Sequence, residues 1–545
     1  MVAFAWHLAM PLEEIIPLVL TALLAAIPVA LPATFTLASA IGAQALAKLG
    51  VLPTRLSAVD EAASMVILCV DKTGTLTENS LTVAAVRAMA DFDEAHVLAL
   101  AALASSDGGQ DPVDAAIRAA AKQIADAPKL VKFVAFDPAK KMSEATMTDA
   151  QGHSVRIVKG AFAVVSDLTG PSAPAIAAAK DLGDRGFRVL GVATGASSAM
   201  KLAGLIALSD PPRKDSAELI AELHELGVRV VMVTGDAPST AAIVAKAVGL
   251  DGAICPPGPI PDGIKAQQYA VFAGVLPEDK FKLVKAFQAG GQTVGMCGDG
   301  ANDAPALRQA QMGIAVSTAT DVAKSAAGIV LTKPGLPGIV KAVREGRITF
   351  QRILSYTLNS LTKKTVQVLF VAVGVVMTGH AILTPFLMVL VMITGDFLGM
   401  ALTTDNVRAS PAPNTWQIGR LTIAGMAMGA GELIFCIAVL VLGRNYMRFG
   451  IEALQTLVFI AVVFGSQATT YTNRERRHMW SSCPSIWLIL SSVADILVAS
   501  TLAVGGIAMT PLPVWVVAGT LAAAAAFAVI LDLVKVPVFR RLRIT

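Results

Sequence analysis

The sequence predicts a multi-pass α-helical membrane domain joined to a soluble α/β domain, a doubly wound parallel sheet that carries an inserted α+β domain. Three observations predict it. The 545 residues are 54% hydrophobic and 15% charged, against about 25% charged in ordinary soluble domains. Apolar stretches near the roughly 20 residues that cross a bilayer core fall into two groups, one at the start and six at the end. Between the groups, apolar β-branched runs end in polar turns and alternate with helix-like stretches, the pattern of buried parallel strands.

The first span is expected over residues 14–43 and contains Pro17, Pro28 and Pro32. The later spans are expected at 354–377, 382–402, 421–442, 452–471, 486–508 and 514–534. Residues 48–352 hold most of the charge and read as soluble. Lys48 and Arg55 follow the first span, Arg474, Arg476 and Arg477 follow the fifth, and Arg540, Arg541 and Arg543 follow the last. By the positive-inside rule these loops, the soluble insert and the C-terminus are expected to face the cytoplasm, with the two Arg of GRNYMRFGIE a weak exception. The net charge is +4 with no basic block, so nucleic acid is not an expected partner. Five cysteines form no CxxC pair, which excludes a zinc ribbon and gives no disulfide framework. The opening MVAFAWHLAM lacks the basic region and cleavage site of a signal peptide and reads as the tail of a span.

Inside the soluble region, MVILCVDKTG, VRVVMVTGD and QTVGMCGDGAND each read as a strand running into a polar loop. Ligands of doubly wound sheets sit beyond the carboxyl ends of the strands. Asp71, Asp236, Asp299 and Asp303 are therefore expected at one edge. Residues from about 85 to 203 break this pattern with their own α+β mixture. The expected division is 1–47 for a span stub and a Pro-broken span, 48–85 and 204–352 for the two parts of the α/β domain, 86–203 for the insert, and 353–545 for six spans.

DKTGTLT, residues 71–77, puts a carboxylate at a strand tip, followed by backbone N–H and hydroxyl donors suited to a phosphoryl group. Asp71 can serve there as an aspartyl-phosphate nucleophile. DPPR at 210–213, TGD at 234–236 and GDGANDAPAL at 298–307 follow in order. Asp299 and Asp303 are oxygen ligands suited to Mg²⁺, and Lys280 in PEDK can supply a fixed cation.

With these motifs the chain resembles the P-type ATPases, cation pumps that pass through an aspartyl-phosphate. The resemblance implies that Asp71 is phosphorylated, that Lys72, Thr73 and the backbone around them hold the phosphoryl group, and that Asp71, Thr73, Asp299 and Asp303 serve Mg²⁺. It implies that Lys280 and Thr234, Gly235 and Asp236 complete the site and that Asn302 positions the phosphoryl group. The α/β part becomes a haloacid dehalogenase-like phosphorylation domain and the insert a nucleotide-binding domain. ATP and Mg²⁺ are the implied cofactors. Phe136 in AFDPAKKMS is the implied adenine-stacking aromatic, with Lys159 and Gly160 of VKGA beside it and Asp114, Asp210 and Arg213 assigned to the same nucleotide. After KGA the family usually has Pro, whereas this chain has Phe162.

The transported ion is read from the spans. In IPVALP, Pro28 and Pro32 flank Val29 and Ala30 and break the helix at membrane depth, which marks an ion path where it lines a cavity. No thiol pair suits a soft metal, and too few carboxylates are present for calcium. Asp396 in ITGDFLGM is the only acid of its span, and an intramembrane acid is a functional-site hypothesis by default. Glu432 and Asp495 also fall within spans, and Asp532 reads as interfacial. PVALP, Asp396 and ILDLVKVPVF look like the plasma-membrane proton-pumping branch, in which the acid matching Asp396 takes up and releases the proton. By this resemblance the plasma, or cell inner, membrane is the expected location. Plant members of that branch carry an Arg on the preceding span. Here the nearest cations are Lys363 and Lys364.

The family's actuator domain, with its TGE-type loop, and the first two spans have no counterpart in the sequence, and residues 1–8 resemble the stub of the third. TGAS at 194–197 lacks the acid and reads as an ordinary turn. A truncated pump, one half of a split pump completed by a separate actuator-domain polypeptide, and an inactive ATP-binding fragment all stand as expectations. So do a pump for another cation such as Mg²⁺ and a haloacid dehalogenase-like phosphatase on a membrane anchor.

Overall fold

The computed structural model describes residues 11–544 apart from 109–110, 122–128, 149–153, 197–198, 257 and 262. The expected span stub at residues 1–8 and the end of the TGAS turn lie outside these. The chain forms two compact units, one from Gly50–Thr54 and Met65–Val340, the other from Arg55–Ser64, Lys341–Thr545 and the chain up to Leu49.

The first unit holds two sheets. In the larger, eight strands run in the order Val51–Pro53, Ile329–Leu331, Met312–Ala315, Val294–Gly298, Ile67–Asp71, Arg229–Val233, Tyr269–Phe272 and Ala253–Ile254. Every neighbouring pair is parallel except the first. The inner strands are apolar on both faces because helices cover both sides of a parallel sheet, so Ile67 to Val70 and Val294 to Gly298 are wholly buried. Ile67–Asp71 lies between Val294–Gly298 and Arg229–Val233, pairing Val70 with Cys297 and Asp71 with Val233. The three motif strands are thus adjacent and point the same way, which is how their loops come together.

The smaller sheet is wholly antiparallel, in the order Thr82–Ala88, Ala199–Ser209, Arg188–Ala196, Ser154–Ala161, Met142–Thr148 and Lys129–Asp137. Met142–Thr148 alternates buried and half-exposed residues, as expected when one face meets a core and the other water, whereas residues 203–208 of the inner strand Ala199–Ser209 are buried throughout. Helices Glu94–Leu103 and Pro112–Ala120 cover the buried face, packing Val97, Leu100 and Ile117 on Ile157 and Ile206. The sheet runs from 82 to 209, wider at both ends than the insert read from sequence.

The second unit is helical. Among the described residues seven helices are long and apolar enough to cross a membrane: Ile15–Lys48, Pro337–Thr378, Pro385–Thr404, Ile418–Tyr446, Ile451–Asn473, Ile486–Gly505 and Val514–Leu542. Ile451–Asn473 sits at the centre, with Val458, Phe459 and Ile460 fully buried. The outer helices turn Ile434, Trp487, Leu497 and Ile530 outward, the arrangement of a bundle solvated by lipid rather than water. Pro337–Thr378 is 42 residues long and begins well before the span expected at 354. Its polar first half carries Arg347, fully buried and donating to Ser410 O at 3.0 Å, and Arg352, whose Nε donates to Asp405 O at 3.0 Å. Asp405 also receives Arg474 Nε at 2.7 Å and Ser485 N at 2.9 Å. Asp532, read from sequence as interfacial, is instead fully buried. Lys535 Nζ donates to it at 2.6 Å and Met479 N at 2.9 Å, and His478 Nδ1 lies 2.7 Å away. A basic chain end suggested a solvated acid, but the cations are folded onto it.

Candidate functional site

The site begins at the carboxyl end of Ile67–Asp71. Extended backbone stops at Asp71, and the chain turns through Thr73 and Gly74, whose φ of +71° favours glycine. Lys280, on helix Pro277–Ala289, reaches across 209 residues of sequence to donate to Asp71 Oδ2 at 2.8 Å and to Asp303 Oδ1 at 2.7 Å. The other oxygen of Asp303 accepts from the backbone N–H of Asp299 at 3.2 Å and Gly300 at 3.1 Å. Asp303 is fully buried and fully partnered, whereas Asp299 stays half-buried at the loop edge. Ligand oxygens of Asp71, Asp299 and Asp303 all lie within 4.8 Å of one another.

The geometry requires Gly298, which faces the buried Asp303, whereas Gly300 faces only the exposed side chain of Asn302. A Cβ on Gly298 would stand 2.7 Å from Asp303 Oδ2, and one on Gly300 would collide with Asn302 Oδ1. Burial pushes the Asp71 carboxyl above its ordinary range; Lys280 draws it back, while Asp303 and Asp299 add to the rise. Burial and then Asp303 push Asp299 up as well. Burial works to lower the Lys280 ammonium, yet the two carboxylates it bridges outweigh that and raise it. Three acids around one lysine leave a net negative pocket of hard oxygen atoms, which fits a small divalent cation. Asp71 and Asp299 have the freer oxygens for it, with Asp303 locking Lys280 and the loop.

The other motif residues are placed in two ways. Lys72 turns away from Asp71 and meets Asp236 Oδ2 at 2.6 Å, and Asp236 N donates to Thr234 Oγ1 at 3.1 Å. The TGD loop is thereby tied to the DKTGTLT loop, with Gly235 exposed at its tip and Asn302 exposed on the neighbouring loop. Asp210 and Arg213 grip the far side of the same turn. Asp210 accepts from Thr77 Oγ1 at 2.5 Å and Ser80 N at 3.1 Å, and Arg213 N donates to Leu76 O at 2.9 Å. These contacts hold the turn in place. The role of Thr77 was hidden because its partner is 133 residues away.

On the smaller sheet, Lys159 and Asp114 are both buried and form an ion pair, with Ser105 Oγ accepting from Lys159 Nζ at 2.6 Å and Asp114 Oδ2 accepting from Ser106 N at 2.7 Å. Burial draws the Lys159 ammonium down against the pull of Asp114. Gly160 abuts Lys141 O and Met142 so closely that no Cβ fits. Phe136 is 40% exposed near the end of the edge strand, so it is not a core aromatic. Phe162, standing where the family has Pro, packs instead against Leu182, Leu205 and Ala207. No signal in the sequence marks Ser105.

In the helical unit the first candidate span is broken as expected. Leu12–Ala26 stops, Ile27 is extended, and the helix restarts at Leu31 with Pro32 in its first turn. Three carbonyls at the break find local donors: Ile27 O takes Val29 N, Pro28 O takes Leu31 N, and Ala30 O takes Thr34 N. Ala30 is buried with Tyr356 and Leu402, and Val29 is exposed. Asp396 is buried in a widened π turn, Ile393–Phe397. Lys364 Nζ donates to Asp396 Oδ2 at 3.1 Å and to Gln367 Oε1 at 3.1 Å, while Lys363 Nζ donates to Gly395 O at 2.8 Å.

Residues 65–311 match the haloacid dehalogenase-like hydrolase family, and residues 281–343 match a second family of the same description. Over that stretch the chain is a haloacid dehalogenase-like domain. Asp71, Lys280 and the two aspartates of the GDGAND loop all fall within the matched residues. Over 509 residues, 89% of the chain, the sequence is 34% identical to a protein of Methanocaldococcus jannaschii named provisionally as a cation-transporting ATPase. The chain spans 63% of that relative's length. The likeness extends past the hydrolase domain into the helices and supports the P-type resemblance at the level of the family.

Replacing Lys280 with Ala leaves two buried carboxylates facing each other. Loss of one partner from a buried pair costs about 3–5 kcal/mol. The purified Lys280→Ala chain should therefore melt at a clearly lower temperature, with Lys280→Arg recovering part of the loss. An unchanged melting temperature in Lys280→Ala would show that the bridge is not formed in solution.

Proposed function

We propose that the chain is the phosphorylation and ion-path part of a P-type cation pump, with the proton as the transported ion. The observation that carries the phosphorylation reading is the Lys280 bridge between Asp71 and Asp303. It neutralises the nucleophile's surroundings while engaging one oxygen of Asp71, so the other can attack the γ-phosphorus of ATP as ADP leaves. Mg²⁺, when bound by Asp71 and Asp299, would supply charge neutralisation for the transferring phosphoryl group. Thr73 and the backbone after Gly74 receive the phosphoryl oxygens. Lys72, tied to Asp236, fixes the loop opposite, with Thr234, Gly235 and Asn302 at the same edge. Acid-stable, hydroxylamine-sensitive label from ATP tests the reading. A chain that instead hydrolyses phosphomonoesters and takes no such label is the membrane-anchored phosphatase.

The nucleotide is assigned to the smaller sheet, with Phe136 stacking on adenine. Base stacking on an aromatic contributes about 1–3 kcal/mol, so Phe136→Ala should weaken ATP binding about tenfold or more while leaving folding intact, because the ring is exposed. Unchanged affinity in a fluorescent-nucleotide titration would remove Phe136 from the site. The buried Lys159 and Asp114 shape that pocket through their ion pair.

For the ion, Asp396 paired with Lys364 is a carboxylate that takes a proton when the pair opens and releases it when the pair reforms. Among the described residues the only cluster of three metal-ligating side chains is Asp71, Asp299 and Asp303, which favours a proton over Mg²⁺ as cargo. Hydrolysis of the aspartyl-phosphate requires an actuator domain bearing a TGE-type loop, and a polypeptide that supplies it is the proposed partner. The loop arginines support a cytoplasmic side for the soluble unit and the C-terminus, and the plasma membrane is the proposed location.

A further inference from the structure

We infer that the helical unit binds an anionic phospholipid in a cationic pocket at one end of the bundle. A pocket of about 1060 Å³ is walled by the helix Pro337–Thr378, the connections that follow Pro385–Thr404 and Ile451–Asn473, and the last turns of Val514–Leu542. Arg408, Arg477, Arg540 and Arg543 line it. Among the described residues, none of these four guanidinium groups has a carboxylate partner. The only acid in the wall is Glu475.

The remaining wall arginines are held in place. Arg474 is paired with Asp405. Arg476 donates to Asn473 O at 2.9 Å and Ser355 Oγ at 3.1 Å, and its Nε is buried with no partner. Nearby Asp532 cannot neutralise the pocket, because both its oxygens are engaged by Lys535, Met479 N and His478. So many unpaired guanidinium groups around one cavity repel one another unless an anion joins them, and Arg suits the oxygens of a phosphate through paired N–H donors.

The shape selects the kind of anion. Phe539 and Val536 form part of the same wall. A second cavity of about 220 Å³, lined by Phe350, Leu354, Pro413 and Leu421, adjoins it and shares Ser410, Pro411, Arg543 and Ile544. A cationic chamber that shares wall residues with a mostly apolar one, where Asn414, Thr415 and Gln417 add polar groups, fits an amphiphile with a phosphate head and a hydrocarbon tail. A free phosphate would occupy only a small part of the first chamber and leave the second empty. Basic pockets between membrane helices on the cytoplasmic side are suited to anionic head groups. The inference rests on the helices lying in a bilayer and is independent of which ion is carried.

The test uses the purified full chain in neutral detergent, with phosphatidylglycerol, phosphatidylcholine or inorganic phosphate added. Thermal unfolding reads the response and native mass spectrometry counts retained lipid. Phosphatidylglycerol should raise the melting temperature saturably with one lipid retained, and phosphatidylcholine should not. R477Q/R540Q/R543Q should weaken the phosphatidylglycerol response on the order of 100-fold, at roughly fivefold for each arginine near a membrane surface. R477K/R540K/R543K should keep most of it, which separates lost charge from lost folding. Equal responses to both lipids would overturn the proposal, as would an undiminished response in the Gln variant. Full stabilisation by inorganic phosphate alone would replace the lipid with a free anion. The unmodified chain by itself decides that last comparison.

Discussion

Asp71→Asn abolishes acid-stable, hydroxylamine-sensitive labelling from ATP, and Asp71→Ala does the same. The amide keeps the size of the carboxylate but has no anionic oxygen to attack phosphorus, so the loss should reach the detection limit rather than a fraction of normal. Folding should survive. Burial already presses the Asp71 carboxyl toward its neutral form, and a neutral isostere relieves that pressure while Lys280 retains Asp303 as a partner. Melting temperature therefore serves as the control on the same preparations. Retained label in a well-folded Asp71→Asn chain would place the nucleophile elsewhere, and Asp299 and Asp303 would be the acids to examine next.

Asp396→Asn separates transport from phosphorylation. Label from ATP should persist while acidification of sealed vesicles by the transport-competent pump disappears. The substitution also strands Lys364 in the bundle without its carboxylate, at a cost of about 3–5 kcal/mol for an uncompensated buried charge. Stability and transport are distinguished by the double variant Lys364→Met with Asp396→Asn. It should recover most of the melting temperature, because a buried pair is often replaceable by apolar side chains, and none of the transport. Full proton transport by Asp396→Asn vesicles would remove Asp396 from the path.

The strand-end cluster was legible because its residues belong to short strings at strand ends. DKTGTLT, TGD and GDGAND each contain both the end of a buried strand and the loop that follows it, and a parallel sheet brings such loops to one edge. The helices were legible for a comparable reason, since a bilayer demands a continuous apolar run that can be read residue by residue. The break at IPVALP followed from proline chemistry alone. Asp532 misled because the charge of its sequence neighbours says nothing about where Lys535 and His478 point after folding.

The partners were not legible. Lys280 was expected at the site, but its bridge from Asp71 to Asp303 was not, nor was the meeting of Asp210 with Thr77 across 133 residues or of Lys159 with Ser105 across 54. Lys363 and Lys364 are adjacent in sequence, yet only Lys364 pairs with Asp396 while Lys363 is spent on a carbonyl. Neighbours on a helix point about 100° apart, so only packing against the next helix decides which one meets the acid. By itself the sequence determined the two kinds of domain, the residues that cluster at the strand ends and the acid within its apolar span, all set by local pattern. Tertiary structure alone decided which cation answers each acid and gathered arginines from two connections and the end of the last helix around one pocket, because those pairings depend on contacts between segments far apart in the chain.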